Sequence, residues 1–269
     1  MFFLLQTFNL IKDIYSDRQL VINFAKKDFI RRFSGSFLGT GWAFLQPLLT
    51  IVIYWAVFQF GFRSGDIGNI PFVLWFVCGI VPWLFISEAF PVASNSFLEY
   101  SYLVKKVVFN INILPLVKII SCAFTHLFFI GIAMFLCIIK GYPPTIYWLQ
   151  IIYYLICMII FTFALSLICA SIMVFFRDLT QIIGVLLLIG MWGTPIAWNL
   201  DMFPVKYHVL FKLNPIYYLV QGYRDSLIGN IWFWEKINLT IYFWCVLFVL
   251  LFIGSFVFNH LKQYFADTL

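Results

Sequence analysis

Charge is scarce in this chain. Only 10% of its 269 residues are Asp, Glu, Lys or Arg, whereas 64% are hydrophobic and 22% are aromatic. A water-soluble domain of this composition would aggregate, so the composition excludes the ordinary soluble classes. Six uncharged runs are long enough to cross a bilayer, because about 20 helical residues match about 30 Å of hydrocarbon. These runs are residues 33–62, 67–87, 119–139, 141–176, 179–200 and 237–261. We therefore predict an all-α polytopic membrane protein with six transmembrane helices in one domain, residues 1–269.

The chain also lacks the sequence motifs of several kinds of chemistry. No Gly-Lys dipeptide occurs, so the phosphate-binding pattern G-x-x-x-x-G-K-[ST] is excluded and any ATP must be bound by a partner. The six cysteines stand singly without C-x-x-C spacing, so neither a metal site nor a disulfide framework is predicted. No acidic residue lies near the middle of a run, which argues against a proton- or sodium-coupled carrier. His126, His208 and His260 share no run, yet they leave a membrane-embedded glycan- or lipid-modifying enzyme open as an alternative.

The basic residues are concentrated on one side of the predicted spans. Six of them precede the first span, namely Lys12, Arg18, Lys26, Lys27, Arg31 and Arg32. Because cytoplasmic segments carry an excess of Lys and Arg, both termini are predicted to be cytoplasmic. The net charge of +6 is then explained by topology, and no nucleic-acid partner is expected.

Two segments do not fit a spanning helix. In residues 17–33, apolar residues recur near helical spacing between basic ones, which predicts an amphipathic helix at the inner membrane surface. This helix would act either as an anchor or as a lever for a cytoplasmic partner. In residues 201–236 the apolar segments are too short to cross and are interrupted at Asn214-Pro215. Re-entrant short helices forming a gate are predicted there, with a plain surface hairpin as the alternative.

Aromatic side chains extend well along two of the spans. They are Trp42, Phe44, Tyr54, Trp55 and Phe58 in the first span, and Trp192 and Trp198 in the fifth. Lipid-facing or interfacial positions are the default for such residues in membrane proteins. Rings that line a passage would also suit a sugar polymer, because its C–H faces pack on aromatic surfaces while its hydroxyls stay hydrated.

Several local motifs occur together in one order. They are DFIRRFSGSFLGTGWAFLQP at 28–47, GIVPW at 79–83, LVKKVVF at 103–109 with LP at 114–115, FRDL at 176–179, TPI at 194–196 and NP at 214–215. Together they resemble the membrane (permease) subunit of ABC type-2 exporters that move O-antigen, capsular polysaccharide or teichoic acid. Asn110 departs from that pattern, because the family often has a proline after the K-V-x-F run. A type-2 permease for small lipids or drugs would share the same topology and stays open as a second alternative.

The resemblance implies a mechanism, partners and a location. It implies a homodimer in the bacterial inner membrane, two copies of a cytoplasmic ATPase that bind ATP and Mg²⁺, and a lipid-linked polysaccharide as cargo. Residues 17–33 would be the interface helix, 99–109 the cytoplasmic coupling segment and 201–236 the extracytoplasmic gate.

The resemblance also implies roles for single residues. Residues expected to couple to the ATPase are Asp28, Glu99, Lys105, Lys106, Arg177 and Asp178. Arg31 and Arg32 are candidates for contact with the lipid head group. The expected channel aromatics are Trp42, Phe44, Tyr54, Phe58, Trp192 and Trp198, and the expected gate residues are Asn214, Pro215, Tyr218 and Arg224.

Overall fold

A computed structural model describes residues 17–63, 65–105 and 110–269, and these ranges are helical without a β-strand. The α-helices in chain order are α1 (Arg18–Arg32), α2 (Trp42–Ala56), α3 (Phe72–Ser94), α4 (Ser96–Glu99), α5 (Ser101–Val104), α6 (Leu114–Ile139), α7 (Gln150–Met173), α8 (Leu179–Gly193), α9 (His208–Lys212), α10 (Pro215–Arg224), α11 (Ile237–Leu261) and α12 (Phe265–Thr268). Single π-helical turns continue α2 over Val57–Gly61 and α10 over Asp225–Gly229.

Five helical segments in the described ranges are long and apolar enough to cross a membrane. They are Gly39–Gly61, Phe72–Ser94, Ile111–Ile139, Ile146–Met173 and Phe233–Tyr264. The prediction of an all-helical polytopic membrane protein is therefore confirmed. The fifth predicted span, 179–200, is shorter than expected, because α8 ends at Gly193 after 15 residues. Pro195 lies two residues after Gly193, and a proline there supplies no backbone N–H to continue the helical hydrogen bonds.

Charge did not mark the helix ends correctly at two places. The uncharged runs predict a helix that ends before Glu88 and one that begins after Lys118, but α3 continues to Ser94 and α6 begins at Leu114. Both charged side chains have partners of opposite charge within 2.7 Å. A helix can carry a charge into an apolar environment when a partner neutralises it.

Helix α3 lies at the centre of the bundle. Its buried residues form one core with residues of α6, α7, α10 and α11, including Phe76, Ile80 and Phe243. By contrast, α2 and α8 lie at the edge of the chain and expose apolar side chains such as Ile53 and Leu188. The chain thus has a packed centre and two helices with extensive unpartnered apolar surface.

The predicted helix near the N-terminus is present as α1, but its buried face differs from the predicted one. Val21 and Ala25 are buried against Ile113 and Val117 at the start of α6. Leu20, one of the apolar residues at helical spacing in 17–33, is exposed. Asp28 instead lies on the buried face, since it follows Val21 and Ala25 at helical spacing.

Residues 201–236 form short helices, as predicted. Asn214 begins α10, because its side-chain oxygen accepts a hydrogen bond from the Ile216 N–H at 3.0 Å, and Pro215 occupies the first turn. Most of α10 is buried, and it packs against α3, α7 and α11. An apolar environment therefore surrounds a helix that is only 10 residues long.

Candidate functional site

A cluster of charged side chains joins α1 to the helices that surround the start of α6. The Lys118 ammonium lies 2.6 Å from Asp28 Oδ1 of α1 and 2.7 Å from Glu99 Oε1 of α4. Lys118 and Asp28 are each only 3% exposed. One buried cation therefore bridges carboxylates from two other helices, and it fixes α1 and α4 against α6.

Tyr100 completes the environment of Asp28. Its hydroxyl donates a hydrogen bond of 2.5 Å to Asp28 Oδ1, and its ring lies 4.7 Å from the Lys118 ammonium. Burial by itself raises the pKa of Asp28, but the hydrogen bonds from Lys118 and Tyr100 outweigh it and hold the pKa below the ordinary value of 3.8. Burial and the Asp28 carboxylate raise the pKa of Tyr100 above its usual value. Asp28 is therefore ionised and Tyr100 is neutral at physiological pH.

Arg32 extends the cluster from α1 to α3. Its guanidinium donates a hydrogen bond of 2.5 Å to Glu88 Oε1 and lies 3.9 Å from Asp28 Oδ2. It also lies 3.2 Å from the Cys122 sulfur on α6. Because Arg32 and Lys118 are on different helices and share Asp28, a displacement of α1 must move or break contacts to both α3 and α6.

A cavity of about 390 Å³ lies beside Arg32, between the end of α1 and helices α2 and α3. Its walls include Trp42, Gln46 and Pro47 of α2 together with Glu88 of α3. Trp42 was predicted as a channel aromatic and Arg32 as a head-group contact. The structure brings these two side chains to the same cavity.

The remaining residues predicted to couple to an ATPase lie apart from the buried cluster. Lys105 is exposed at the end of α5, and Lys106 lies outside the described residues, as do 107–109 of the predicted coupling segment. Arg177 and Asp178 are exposed in the turn before α8, where Asp178 is at the N-cap position but makes no side-chain capping bond. Arg31 is also exposed, with its guanidinium 5.9 Å from the centre of the Tyr100 ring.

The predicted channel aromatics fall into two groups. Trp42 and Trp192 are 40% and 53% exposed, respectively, and are available at the surface of the chain. The others contact aromatic neighbours or are partly buried: Phe44 packs on Phe128, Phe58 packs on Phe76, Trp198 packs on Phe203 and Phe211, and Tyr54 packs against the core.

The predicted gate residues hold the 201–236 segment to the bundle. Asn214 Nδ2 donates a hydrogen bond of 2.8 Å to Thr194 Oγ1, which ties α10 to the end of α8. The Tyr218 hydroxyl lies 2.9 Å from the Tyr153 hydroxyl and 3.2 Å from Thr240 Oγ1. These bonds connect α10 to α7 and α11.

Arg224 makes the most extensive set of contacts among the gate residues. Its guanidinium donates to the carbonyl oxygens of Trp75, Pro195 and Ile196 at 3.1, 2.7 and 2.9 Å. It also stacks over the Trp75 ring, 3.5 Å from the ring centre. Gly79 makes this approach possible, since a Cβ at that position would overlap the guanidinium. Arg224 thus clamps α10 to α3 and to the chain after α8.

Sequence reasoning missed Lys118, Tyr100 and Glu88 as members of the first cluster. Lys118 and Glu88 were read as boundaries of apolar runs, and a charge that ends a run gives no sign that it is buried. The available signal was the presence of acids at the ends of neighbouring runs, which need a cation if they are buried. No group of His, Cys, Asp and Glu suited to a metal ion occurs among the residues that the structure describes.

Comparison with known proteins places this chain. It is 27% identical over 252 residues to an O-antigen export system permease protein RfbA of Klebsiella pneumoniae. The matched residues cover 93% of this chain and 95% of the relative. It is 28% identical over 219 residues to the protein of the same name from Myxococcus xanthus, covering 80% of this chain and 82% of the relative. The family described as ABC-2 type transporter matches residues 19–228, which include both the buried charge cluster and the Arg224 clamp. This chain belongs to the ABC-2 type transporter family.

Proposed function

We propose that this chain is the channel-forming membrane subunit of an ATP-driven exporter that moves a lipid-linked, O-antigen-like polysaccharide out of the cytoplasm. The observation that carries the proposal is its similarity, over 93% of its length, to a relative named as an O-antigen export permease. The bundle of spanning helices and the presence of aromatic side chains at the chain surface support the same function.

The exporter contains two copies of this chain. Helices α2 and α8 leave apolar side chains exposed at the edge of the bundle, whereas α3 is almost entirely enclosed. Pairing two chains through α2 and α8 would cover part of this surface and create a passage between the copies. In that arrangement α8 serves as a sixth, short crossing of about 22 Å, and the residues after Gly193 complete the distance.

A separate ATPase supplies the energy and binds ATP and Mg²⁺. It contacts the 99–109 segment, where Lys105 is exposed, and the turn at Arg177 and Asp178. The charge cluster then transmits its movement. Glu99 is the first residue of the coupling segment and contacts Lys118, which also binds Asp28 of α1. A displacement of residues 99–109 is therefore transmitted to the interface helix α1 through the buried ammonium of Lys118.

The cargo approaches the cluster from the cytoplasmic side. Arg31 is exposed there and is suited to a phosphate of the lipid head group, whereas Arg32 is held by Glu88. The cavity beside Trp42 is close to Arg31 in the sequence of α1 and has both apolar and polar lining residues. The polymer then advances along aromatic side chains, with Trp42 and Trp192 as the exposed candidates.

The chain lies in the inner membrane of a bacterium, with both termini in the cytoplasm. The excess of basic residues before α2 supports this orientation by the positive-inside rule. The charge cluster is then at the cytoplasmic end, and the 201–236 segment is on the opposite side. Helix α10 re-enters the bundle from that side and forms part of the outer gate.

Copurification tests the proposed partnership. The tagged chain is extracted from its native membrane, and the bound proteins are identified by mass spectrometry. We expect a soluble protein with a P-loop sequence at one-to-one stoichiometry. Repeated recovery of the chain without such a protein would contradict the proposal and favour a chain that acts alone.

Charge reversal then tests the coupling segment. Replacing Lys105 and Lys106 by Glu should abolish export while the chain still inserts into the membrane, because a cationic contact with the ATPase becomes repulsive. Lys140→Glu is the control, since Lys140 is also exposed but lies at the other end of α6. Unchanged export in the double variant would remove this segment from the coupling role.

A further inference from the structure

A second polar cavity lies at the opposite end of the bundle from the charge cluster. It measures about 320 Å³, and its walls come from α3, from residues 195–201 and from α9 and α10. The polar lining includes Asn199, Asp201, His208, Lys212, Gln221 and Arg224. This volume is at the lower end of the roughly 300–1,000 Å³ typical of small-ligand sites.

Arg224 reaches this cavity as a buried cation without a counter-ion. It is 3% exposed, and no carboxylate of the described residues lies within 4.0 Å of its guanidinium. The neighbouring Asp225 is occupied elsewhere, with the Lys236 ammonium 2.5 Å from its Oδ2. Three of the five guanidinium N–H groups bond to backbone carbonyls, so two remain. Burial of a charge is costly unless it is paired, and an anion in the cavity would pair it.

The exposed Lys212, which also lines the cavity, adds to this positive potential. The Lys212 ammonium has no hydrogen bond or ion pair within the described part of the chain. His208 Nε2 donates a hydrogen bond of 2.8 Å to the Phe203 carbonyl oxygen. Asp201 is the carboxylate found in the lining, and Asn199 Nδ2 donates to it at 3.0 Å.

We propose that this cavity binds a phosphoryl group, as a phosphate or a diphosphate. A guanidinium fork and an ammonium, which both line this cavity, are side chains that proteins use for such anions, the first through directed hydrogen bonds and the second as a point charge. The amides of Asn199 and Gln221 also line the cavity, where they donate hydrogen bonds to Asp201 and Asp225 at 3.0 and 2.9 Å. Two membrane components carry this chemistry: the diphosphate of a lipid-linked glycan and the head group of a phospholipid. The assignment to the glycan lipid rests on the proposed function, but the site itself does not.

The affinity of the cavity for a phosphoryl group can be measured directly, in an assay that needs neither ATP nor export. The full-length chain is placed in phosphatidylcholine nanodiscs and titrated with inorganic pyrophosphate by calorimetry. Lys212→Gln should weaken binding about tenfold or more, because it removes a charge-assisted contact without disturbing the fold. Lys206→Gln is the matched control, since Lys206 is exposed in the same segment and does not line the cavity, and its affinity should stay within about twofold of the original chain.

Two results would overturn the proposal. One is the absence of measurable binding up to about 10 mM pyrophosphate, which is weaker than any specific charged site of this kind would give. The other is an equal loss of affinity in Lys212→Gln and Lys206→Gln, which would indicate general surface charge instead of this cavity.

A change of lipid identifies the source of the phosphoryl group. The titrations are repeated in phosphatidylglycerol nanodiscs. If an anionic phospholipid head group occupies the cavity, the difference between the original chain and Lys212→Gln disappears there, whereas it persists if the site prefers a diphosphate. Either result upholds the site. If the chain is repeatedly purified without an ATPase, the exporter proposal fails. The binding results are independent of that outcome and still test the cavity.

Discussion

Lys118→Met should strongly destabilise this protein, because Lys118 is the cation shared by two carboxylates. Methionine keeps the length and apolar stem of the side chain but removes the ammonium, which lies 2.6 Å from Asp28 and 2.7 Å from Glu99. Glu99 can turn to solvent, since its side chain is 37% exposed. Asp28 has no such escape, because its side chain is 2% exposed.

The expected cost follows from removing the closest cation of a buried carboxylate, since the next cation, Arg32, lies 3.9 Å from Asp28 Oδ2. Removal of one partner of a buried ion pair typically costs about 3–5 kcal/mol. For a chain of this size each kcal/mol lowers Tm by about 2–4 °C, so the loss should be about 6–20 °C. The double variant Asp28→Asn, Lys118→Met removes both charges, retains a hydrogen-bonding side chain beside Tyr100, and should regain most of this loss.

Thermal unfolding of the purified chain in one detergent measures both effects. The reasoning would be refuted if Lys118→Met melted within about 2 °C of the original chain. It would also be refuted if the double variant were no more stable than Lys118→Met, because the loss would then come from packing and not from the unpaired carboxylate.

The pH dependence of the same variant provides an independent check. In the original chain the pKa of Asp28 is lowered, so its contribution to stability is present above the ordinary value of 3.8 and is lost as the pH falls through the lower folded value. Without Lys118, fewer interactions oppose the effect of burial, so we expect the pKa of Asp28 to rise above that ordinary value. The deficit in Tm of Lys118→Met should therefore narrow between about pH 7.5 and about pH 5, whereas a constant deficit would exclude this explanation.

Two further substitutions test the packing of α10 and the contact between α1 and α3. Gly222→Ala should lower the free energy of unfolding by about 1–3 kcal/mol, because the new Cβ would overlap the Tyr154 ring. Gly184→Ala is the control and should be neutral, because there is open space around its Cβ. Equal Tm values for the two variants would contradict the packing of α10 against Tyr154. Glu88→Gln should lower the free energy of unfolding by about 1 kcal/mol, since the carboxylate contact to Arg32 is partly exposed and solvent screens it. A loss of stability as large as that of Lys118→Met would contradict the view that the more buried ion pair contributes more.

Apolar runs and motif order predicted much of this protein. Ile237–Leu261 is a helix with the bounds of the uncharged run, because nothing else in that segment competes with the apolar period. The motifs around 28–47, 176–179 and 214–215 led to the family that the comparison confirms over residues 19–228. Asn214-Pro215 also marked the start of a helix, because a capping side chain followed by proline acts locally.

Long-range charge pairing could not be read from the sequence. Lys118 and Glu99 are separated by 19 residues and Lys118 and Asp28 by 90, and no local pattern connects residues at such separations. Their burial depends on how α1 and α4 pack against α6. The same limit applies to Arg224, whose carbonyl partners lie 149, 29 and 28 residues away.

The amino-acid sequence by itself determined that this protein lies in a membrane, that it is helical and which family it belongs to, because hydropathy and short motifs depend on neighbouring residues. Only the tertiary structure decided which charges are buried, which aromatic side chains remain exposed and where the two cavities lie. The physical reason is that an isolated charge in an apolar environment is unfavourable, and only the packed helices bring its partner close enough to offset that cost.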